Sequence, residues 1–109
     1  MEPISIEQFQ TVELRVATIK TAAPHPRADR LLVLTVDLGS EERQLVAGIR
    51  AHYAPEDLVG KQVIVVANLA PATLRGVESQ AMVLAASDTE GKLALVGPER
   101  PIANGSRVR

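Results

Sequence analysis

Residues 65–87, VVANLAPATLRGVESQAMVLAAS, decide the fold of this chain and indicate its function. An apolar strand, predicted over 62–67, runs into a small polar segment with one arginine, and a second apolar strand follows over 81–86. Two buried strands joined by an exposed loop are how a barrel presents a binding edge. The loop holds hydrogen-bonding groups and one flexible thioether, but no acid–base pair and no cluster of metal ligands. We therefore expect a surface that holds a partner.

Three more strands are predicted on the N-terminal side. Apolar residues alternate with polar ones over 12–16, which is the two-residue period of a half-buried strand. Two prolines within 23–29 predict a loop of fixed shape that ends this strand. Residues 32–38 and 44–49 then form a hairpin around the turn at 39–42.

Two short helices complete the predicted core. Ser5 and Gln8 have the spacing of a capping box, and Pro55 followed by two acidic residues suits a helix start. The result is five strands with a helix between the third and the fourth. This order is that of an all-β OB-fold, a five-stranded Greek-key barrel that binds oligonucleotides on one face.

The residues after Ser87 exceed what a five-stranded barrel needs. They contain a turn at 89–92, a strand at 93–96 and then turn-forming proline, asparagine and glycine residues. We predict one domain over 1–109, with a core barrel at about 11–87 and a C-terminal β extension at about 88–109. An appended apolar strand would otherwise expose an edge, so the extension either builds a dimer or caps its own barrel.

The composition limits the function. Twelve Lys and Arg against thirteen Asp and Glu give a net charge of −1, whereas nucleic-acid modules are usually strongly basic. Positive charges gathered on one face would still create a local attraction, weak and sensitive to salt. The chain has no cysteine, no apparent signal peptide and no apolar stretch of membrane-spanning length, so we expect a soluble cytoplasmic protein.

No catalytic motif is present. The nucleophile elbow, the P-loop and the dinucleotide-binding glycine fingerprint are all absent, so we expect no enzyme activity and no cofactor. His25 and His52 lie far apart without metal-ligand spacing, so we expect no metal site either. His25, between two prolines, is predicted on the loop surface.

The sequence resembles a known family through motifs that span nearly the whole chain. They include His25-Pro26-Arg27-Ala28-Asp29-Arg30-Leu31-Leu32, Asn68-Leu69-Ala70-Pro71 and Gly76-Val77-Glu78-Ser79-Gln80-Ala81-Met82. The family is the tRNA-binding domain found at the C-terminus of bacterial methionyl-tRNA synthetases, in stand-alone dimeric tRNA-binding proteins and in endothelial monocyte-activating polypeptide II. The resemblance implies a non-catalytic module that recognises tRNA by structure rather than sequence. It also implies that the extension builds a homodimer, and that a catalytic synthetase domain or subunit is the partner.

The predicted RNA-binding residues flank the proposed groove at strand ends or in loops. Arginine grips a phosphate through paired hydrogen bonds and stacks on bases, which suits RNA. Asn68 and Ser79 would bond either RNA or their own main chain, and Met82 would either fill the core or meet a base face. The set is Arg15, Arg30, Arg50, Lys61, Asn68, Arg75, Ser79, Gln80 and Met82.

Three positions leave alternatives open. Relatives usually have glycine at the position of Ala81, and often basic residues at the positions of Ala72 and Thr73. A dimerisation domain with a weakened RNA site would follow from these losses. A dimeric, chaperone-like protein that binds unfolded peptide in the same region is a further alternative, favoured by the near-neutral charge.

Overall fold

The computed structural model describes residues 1–109 and contains two short helices and ten strands. Most strands are short, and β1 is the longest. The elements are α1 Ile6–Gln10, β1 Leu14–Pro24, β2 Leu32–Asp37, β3 Glu42–Ala47, α2 Pro55–Leu58, β4 Gln62–Val66, β5 Ala72–Leu74, β6 Val77–Ser79, β7 Met82–Val83, β8 Ala85–Ser87, β9 Leu93–Leu95 and β10 Arg107–Val108.

Five antiparallel strands form the barrel in the order β3-β2-β1-β4-β7. The long β1 pairs with β4 through its first half and with β2 through its second half, and a register shift between Ile19 and Thr21 lies in the second half. Such an irregularity bends a strand, which lets one strand serve two sides of a barrel. The backbone N–H of Gln80 donates to the carbonyl of Gln44 at 2.8 Å and brings β7 back to β3. The predicted OB-fold is confirmed.

Aliphatic side chains fill the barrel. Ile19, Leu34, Leu45 and Val65 are fully buried, and Leu58 from α2 inserts into the same cluster. With only two aromatic residues in the chain, the core depends on branched aliphatic packing, as the composition predicts. The capping box is also confirmed, because the Ser5 hydroxyl accepts the Gln8 N–H at 3.1 Å.

Three predicted boundaries are wrong. Strand β3 begins at Glu42, inside the predicted turn, and ends at Ala47, two residues before its predicted end. Strand β1 does not stop before the proline loop but continues through Ala23 to Pro24, where a residue without an N–H closes the ladder opposite Leu32. The predicted fifth strand is split, since β7 belongs to the barrel and β8 pairs with β9. Leu84 marks the break: its N–H donates to Ile64 O and its carbonyl accepts from the N–H of Val96, each at 3.0 Å.

The C-terminal extension lies on its own barrel. Strand β10 pairs with the start of β1, and the Gly105 N–H donates to the carbonyl of Val16 at 2.7 Å. The Val16 N–H in turn donates to Ser106 O at 3.0 Å. The end of the extension therefore caps a barrel strand within the chain, which is one of the two arrangements that the sequence left open.

Candidate nucleic-acid interface

The polar segment after β4 contains a hairpin rather than an irregular loop. Strands β5 and β6 pair from Ala72 opposite Ser79 to Leu74 opposite Val77, which leaves Arg75 and Gly76 as a two-residue turn. Both residues have positive φ, 52° and 86°, as a type I′ hairpin turn requires. Arg75 is the one non-glycine residue with positive φ in the chain, and it projects from the tip of the hairpin.

A second loop reaches the same place. It connects β1 to β2 and carries Arg27 and Arg30. His25 holds the two loops together, because its Nε2 lies 2.8 Å from the carbonyl oxygen of Leu74 in the hairpin. The guanidinium of Arg27 lies so close to Gly76 that a methyl group there would come within 3.3 Å of Nη1.

These two loops and the segment after β3 bring four arginines together in what we call the arginine rim: Arg27, Arg30, Arg50 and Arg75. Three of them line a depression of about 350 Å³, in which Asp29 is the single carboxylate. The Arg50 N–H donates to Arg30 O at 3.4 Å, so Arg50 lies beside it. No rim arginine forms a salt bridge. The rim is therefore a local concentration of unneutralised positive charge in a chain whose net charge is −1.

The expectation that all the predicted cations flank one groove is wrong. Arg15 forms an ion pair with Glu13 at 2.5 Å and donates to Gly105 O at 3.0 Å. Lys61 lines a different cleft, because the turn after α2 is fixed against Ile19 through backbone hydrogen bonds. The strands carry these two cations away from the rim.

A second group of charges, the paired cluster, consists of Arg15 with Glu13 and Arg43 with Glu41. Arg43 also donates from Nη1 to the carbonyl of Ala67. These four side chains surround one small depression together with Gly105 of the extension. Their charges are matched and their hydrogen bonds are made within the protein.

The predicted amide and hydroxyl groups mainly support the barrel. Asn68 accepts the Glu13 N–H at 2.8 Å and donates to Thr11 O at 2.7 Å, which joins the hairpin's base to the start of β1. The Ser79 hydroxyl is 8% exposed and accepts the Val46 N–H at 3.0 Å. Asn68 thus fixes the base of the hairpin to the start of β1, and Ser79 fixes β6 against β3.

Gln80 has the same supporting role at the neighbouring position. Its side-chain oxygen accepts the Gln44 N–H at 3.1 Å, and its amide nitrogen donates to the Glu78 carboxylate at 2.9 Å. Both ends of the amide are therefore occupied within the protein.

Met82 is 46% exposed, so of the two alternatives that the sequence left open, core filling and contact with a base face, core filling is wrong. It lies in an apolar depression of about 230 Å³ beside β3. Gly48 lines this depression, and a methyl group added at Gly48 would lie 3.8 Å from Leu31 Cδ2, a side chain that lines the depression of the rim. The depression is lined by Val46, Ala47, Gly48, Ile49, Met82, Val83, Ala85 and Leu93.

Comparison with known proteins assigns the chain to a family. Residues 14–107 match the family model described as "Putative tRNA binding domain". The chain belongs to the tRNA-binding domain family. It matches only this domain, which is non-catalytic and homologous to the C-terminal tRNA-binding region of methionine–tRNA ligases.

The sequence relatives of this tRNA-binding domain are much longer proteins. It is 50% identical over 109 residues to the methionine–tRNA ligase of Thermococcus kodakarensis, covering 100% of this chain and 15% of the ligase. It is 52% identical over 106 residues to that of Deinococcus radiodurans, covering 97% of this chain and 16% of the ligase. The chain thus spans about a sixth of the length of the curated relatives it matches.

Solved structures share the whole fold of the domain. The crystal structure of a MetRS-related protein from Pyrococcus horikoshii superposes with a TM-score of 0.94 at 38% identity, and covers 100% of both chains. The chaperone CsaA from Bacillus anthracis superposes with a TM-score of 0.89 at 30% identity, over 99% of this chain and 100% of that one. The domain therefore shares its fold with these two solved chains along their whole length.

Two further residues of this tRNA-binding domain bear on the rim. Arg27 is not among the predicted RNA-binding residues, although it lies in the same quoted motif as Arg30 and lines the same depression. His25 is 4% exposed, so the prediction of a loop-surface histidine is wrong. A histidine between two prolines in a loop of fixed shape was the available signal, because such a loop can hold a buried hydrogen-bonding side chain.

The unusual alanine of this domain does not touch the rim. Ala81 is 6% exposed and its methyl group belongs to the hydrophobic core, whereas Ala72 and Thr73 are exposed on β5.

Neither helix has the length and apolar character that crossing a bilayer demands. No three histidine, cysteine or acidic side chains come together as metal ligands would.

Proposed function

We propose that this domain binds tRNA through the arginine rim, as a non-catalytic module that recognises backbone shape rather than base sequence. The observation that carries this proposal is the meeting of Arg27, Arg30, Arg50 and Arg75 on joined loops without a carboxylate partner in any salt bridge. Guanidinium groups form paired hydrogen bonds with phosphate oxygens, and neutralising phosphates releases counterions. The rim therefore provides local electrostatic affinity for RNA, although the chain as a whole has a net charge of −1.

The conformation of Arg75 supports a functional role for the hairpin tip. Asparagine and glycine are the residues favoured at φ near 52° in this turn type, and an arginine there is strained. Such strain is commonly found where function needs a particular side chain. A flexible, charged side chain on a tight turn is well placed to reach into a groove of folded RNA.

The exposed Met82 adds an apolar surface next to the charges. Polarizable sulfur contacts aromatic rings favourably, and RNA-binding proteins recognise unstacked bases by such contacts. We infer that an unpaired base of the tRNA lies in the Met82 depression while the rim holds the backbone. Asn68, Ser79 and Gln80 act indirectly, by fixing the hairpin, and Arg15 and Lys61 stay predicted contacts on other surfaces.

The assembly and biological context are also proposals. We propose a cytoplasmic homodimer that serves a methionyl-tRNA synthetase, either fused to it or as a separate chain, with 88–109 as the dimerisation extension of the 11–87 barrel. The exposed apolar side chains of Val96 and Ile102 support an interface there. A tethered tRNA-binding domain raises the local tRNA concentration for its catalytic partner. Sedimentation equilibrium of the chain tests the dimer, and a monomer at all concentrations contradicts it.

A salt series of tRNA titrations tests the proposed interface. Fluorescence anisotropy should detect binding at low salt, with an affinity that falls linearly in logarithmic terms as salt rises. Arg75→Gln should weaken binding about tenfold and reduce the salt slope by about one unit. Lys92→Gln is the matched control, since it removes the same charge from the exposed turn between β8 and β9. Equal effects of the two variants would contradict a specific rim.

Peptide binding is the second candidate function. The apolar depression around Met82 and the 30% identity to a protein described as chaperone CsaA favour it. It predicts that Met82→Glu abolishes retention of a denatured polypeptide, whereas Arg75→Gln leaves it intact. Preferential binding of denatured polypeptide over tRNA at low salt would favour this function over the first.

A further inference from the structure

We infer that His25 is a positioning residue for the RNA interface: it holds the Arg75 hairpin tip to the Arg27 loop, and so converts two loops into one rim. The inference rests on the proposed tRNA function. The residues involved are His25, Arg27, Leu74 and Arg75.

The hydrogen bonds of His25 define its chemical state. The Arg27 backbone N–H can only donate, and it lies 2.9 Å from the Nδ1 of His25, so Nδ1 is the acceptor. The proton is then on Nε2, which donates to Leu74 O at 2.8 Å. Both nitrogens of the buried ring are occupied, one on each loop. A side chain that bonds two loops at once fixes their relative position.

The hairpin needs this tether. Residues 69–76 make no hydrogen bond outside their own hairpin except the one that the Leu74 carbonyl accepts from His25 Nε2. The β5 side chains are all exposed, and two-stranded hairpins are marginally stable by themselves in water. The β6 side is anchored separately through Ser79 and Gln80. Without His25, the Arg75 side of the hairpin would therefore be free to move.

Preorganisation is how this tether affects binding. A mobile tip must be ordered when RNA binds, and that ordering entropy is subtracted from the affinity of the Arg75 contact. A tip already held beside Arg27 presents two guanidinium groups to one stretch of backbone. His25 thus strengthens the Arg75 contact without touching RNA.

Two substitutions separate the bonds of His25. In His25→Asn, the side-chain oxygen takes the place of Nδ1 and keeps the Arg27 bond, but the side chain is too short to reach Leu74. In His25→Gln, the amide nitrogen takes the place of Nε2 and keeps the bond between the loops. Each variant is combined with Arg75→Gln in a double-mutant cycle, with tRNA affinity measured by anisotropy at low salt.

The cycle distinguishes positioning from a general structural role. Arg75→Gln should cost about tenfold in affinity in the native background and in His25→Gln, but less than about twofold in His25→Asn. An equal cost in all three backgrounds would overturn the role of His25. Lys61→Gln serves as the uncoupled control, and its effect should be the same in every background. If the native chain binds no tRNA at low salt, the proposed function and this role fail together, a different outcome from binding with additive effects.

The tether can also be tested on the native protein, without any substitution, by measuring the mobility of the hairpin tip. Backbone ¹⁵N relaxation without RNA should give Leu74 to Val77 order parameters near those of the barrel strands, about 0.85. Values below about 0.6 at the hairpin tip would overturn the tether.

Discussion

The arginine rim and the paired cluster use the same residue type for opposite purposes. They lie toward opposite ends of the β2–β3 hairpin, the rim where Leu32 pairs with Ala47 and the paired cluster where Asp37 pairs with Glu42. In the paired cluster each arginine has a glutamate two residues away in sequence and a backbone carbonyl to bond. In the rim no arginine has a carboxylate partner.

The difference shows why net charge is a poor guide to partners for this chain. A near-neutral sum conceals one end where charges cancel and another where they do not. Interactions between exposed charges fade beyond about 8–10 Å at physiological salt. A bound polyanion therefore senses the local rim more strongly than the neutralised cluster.

Neutralising the rim should have the largest effect. Arg27→Gln, Arg30→Gln and Arg75→Gln together remove three phosphate contacts, so the salt slope should fall by about two to three units and affinity by on the order of 100-fold. Salt-dependent anisotropy titrations measure both. The triple variant should keep the unfolding temperature of the native protein. If its tRNA affinity is also unchanged, the arginine rim has no greater role in RNA binding than the paired cluster.

Gly76→Ala should disturb the rim by straining the hairpin turn and crowding the guanidinium of Arg27. Residue 76 has φ +86°, which strains an alanine, and the new methyl group would lie 3.3 Å from Arg27 Nη1. The variant should therefore lose about 1–2 kcal/mol of stability and displace Arg27. Gly91→Ala is the matched control, because its φ is +85° with nothing within 4 Å. Both variants should unfold earlier in urea, but only Gly76→Ala should weaken tRNA binding. Equal tRNA affinities in the two variants would show that Arg27 takes no part.

Arg43→Gln should reveal the structural purpose of the paired cluster. It removes the Glu41 ion pair and the hydrogen bond to Ala67 O, so stability should fall by about 1 kcal/mol. Thermal unfolding should then occur about 4–8 °C lower. tRNA affinity at a temperature where both proteins are folded should not change. A tenfold loss of affinity would place the RNA site on this end of the barrel as well.

Arg75→Asn should produce the smallest change in stability, and of opposite sign. Asparagine before glycine is the favoured type I′ pair, so the unfolding free energy should rise by about 0.5 kcal/mol, while tRNA binding weakens. Urea unfolding with the same slope in both proteins measures the gain. Lower stability together with unchanged binding would remove the argument that the strained arginine is kept for function.

Local patterns were sufficient for much of the fold. The alternation over β2, the capping box of α1 and the proline start of α2 are each encoded within a few residues, and each forms as predicted. The errors lie where distant contacts decide. The split at Leu84 depends on its bonds to β4 and to the segment after β9, and no local pattern contains them.

The site was predicted less completely than the fold. Arg30 and Arg75 line one depression with Arg50 beside Arg30, but nothing in the spacing of Arg15 and Lys61 separates them from the rim. Asn68, Ser79 and Gln80 carry the polar groups expected of a contact surface, yet these groups form hydrogen bonds within the protein. A polar side chain in a loop has the same sequence signature whether it faces a ligand or a neighbouring strand.

The sequence by itself determined the barrel and its family, because the periods of apolar residues and the motifs from His25 to Met82 are written along the chain. Only the tertiary structure decided which arginines stay free and which are neutralised. That choice depends on strand pairing, which sets the carbonyl of Gly105 beside Arg15 and that of Ala67 beside Arg43 at one end, and on the buried His25, which draws two loops separated by more than 40 residues into one rim at the other.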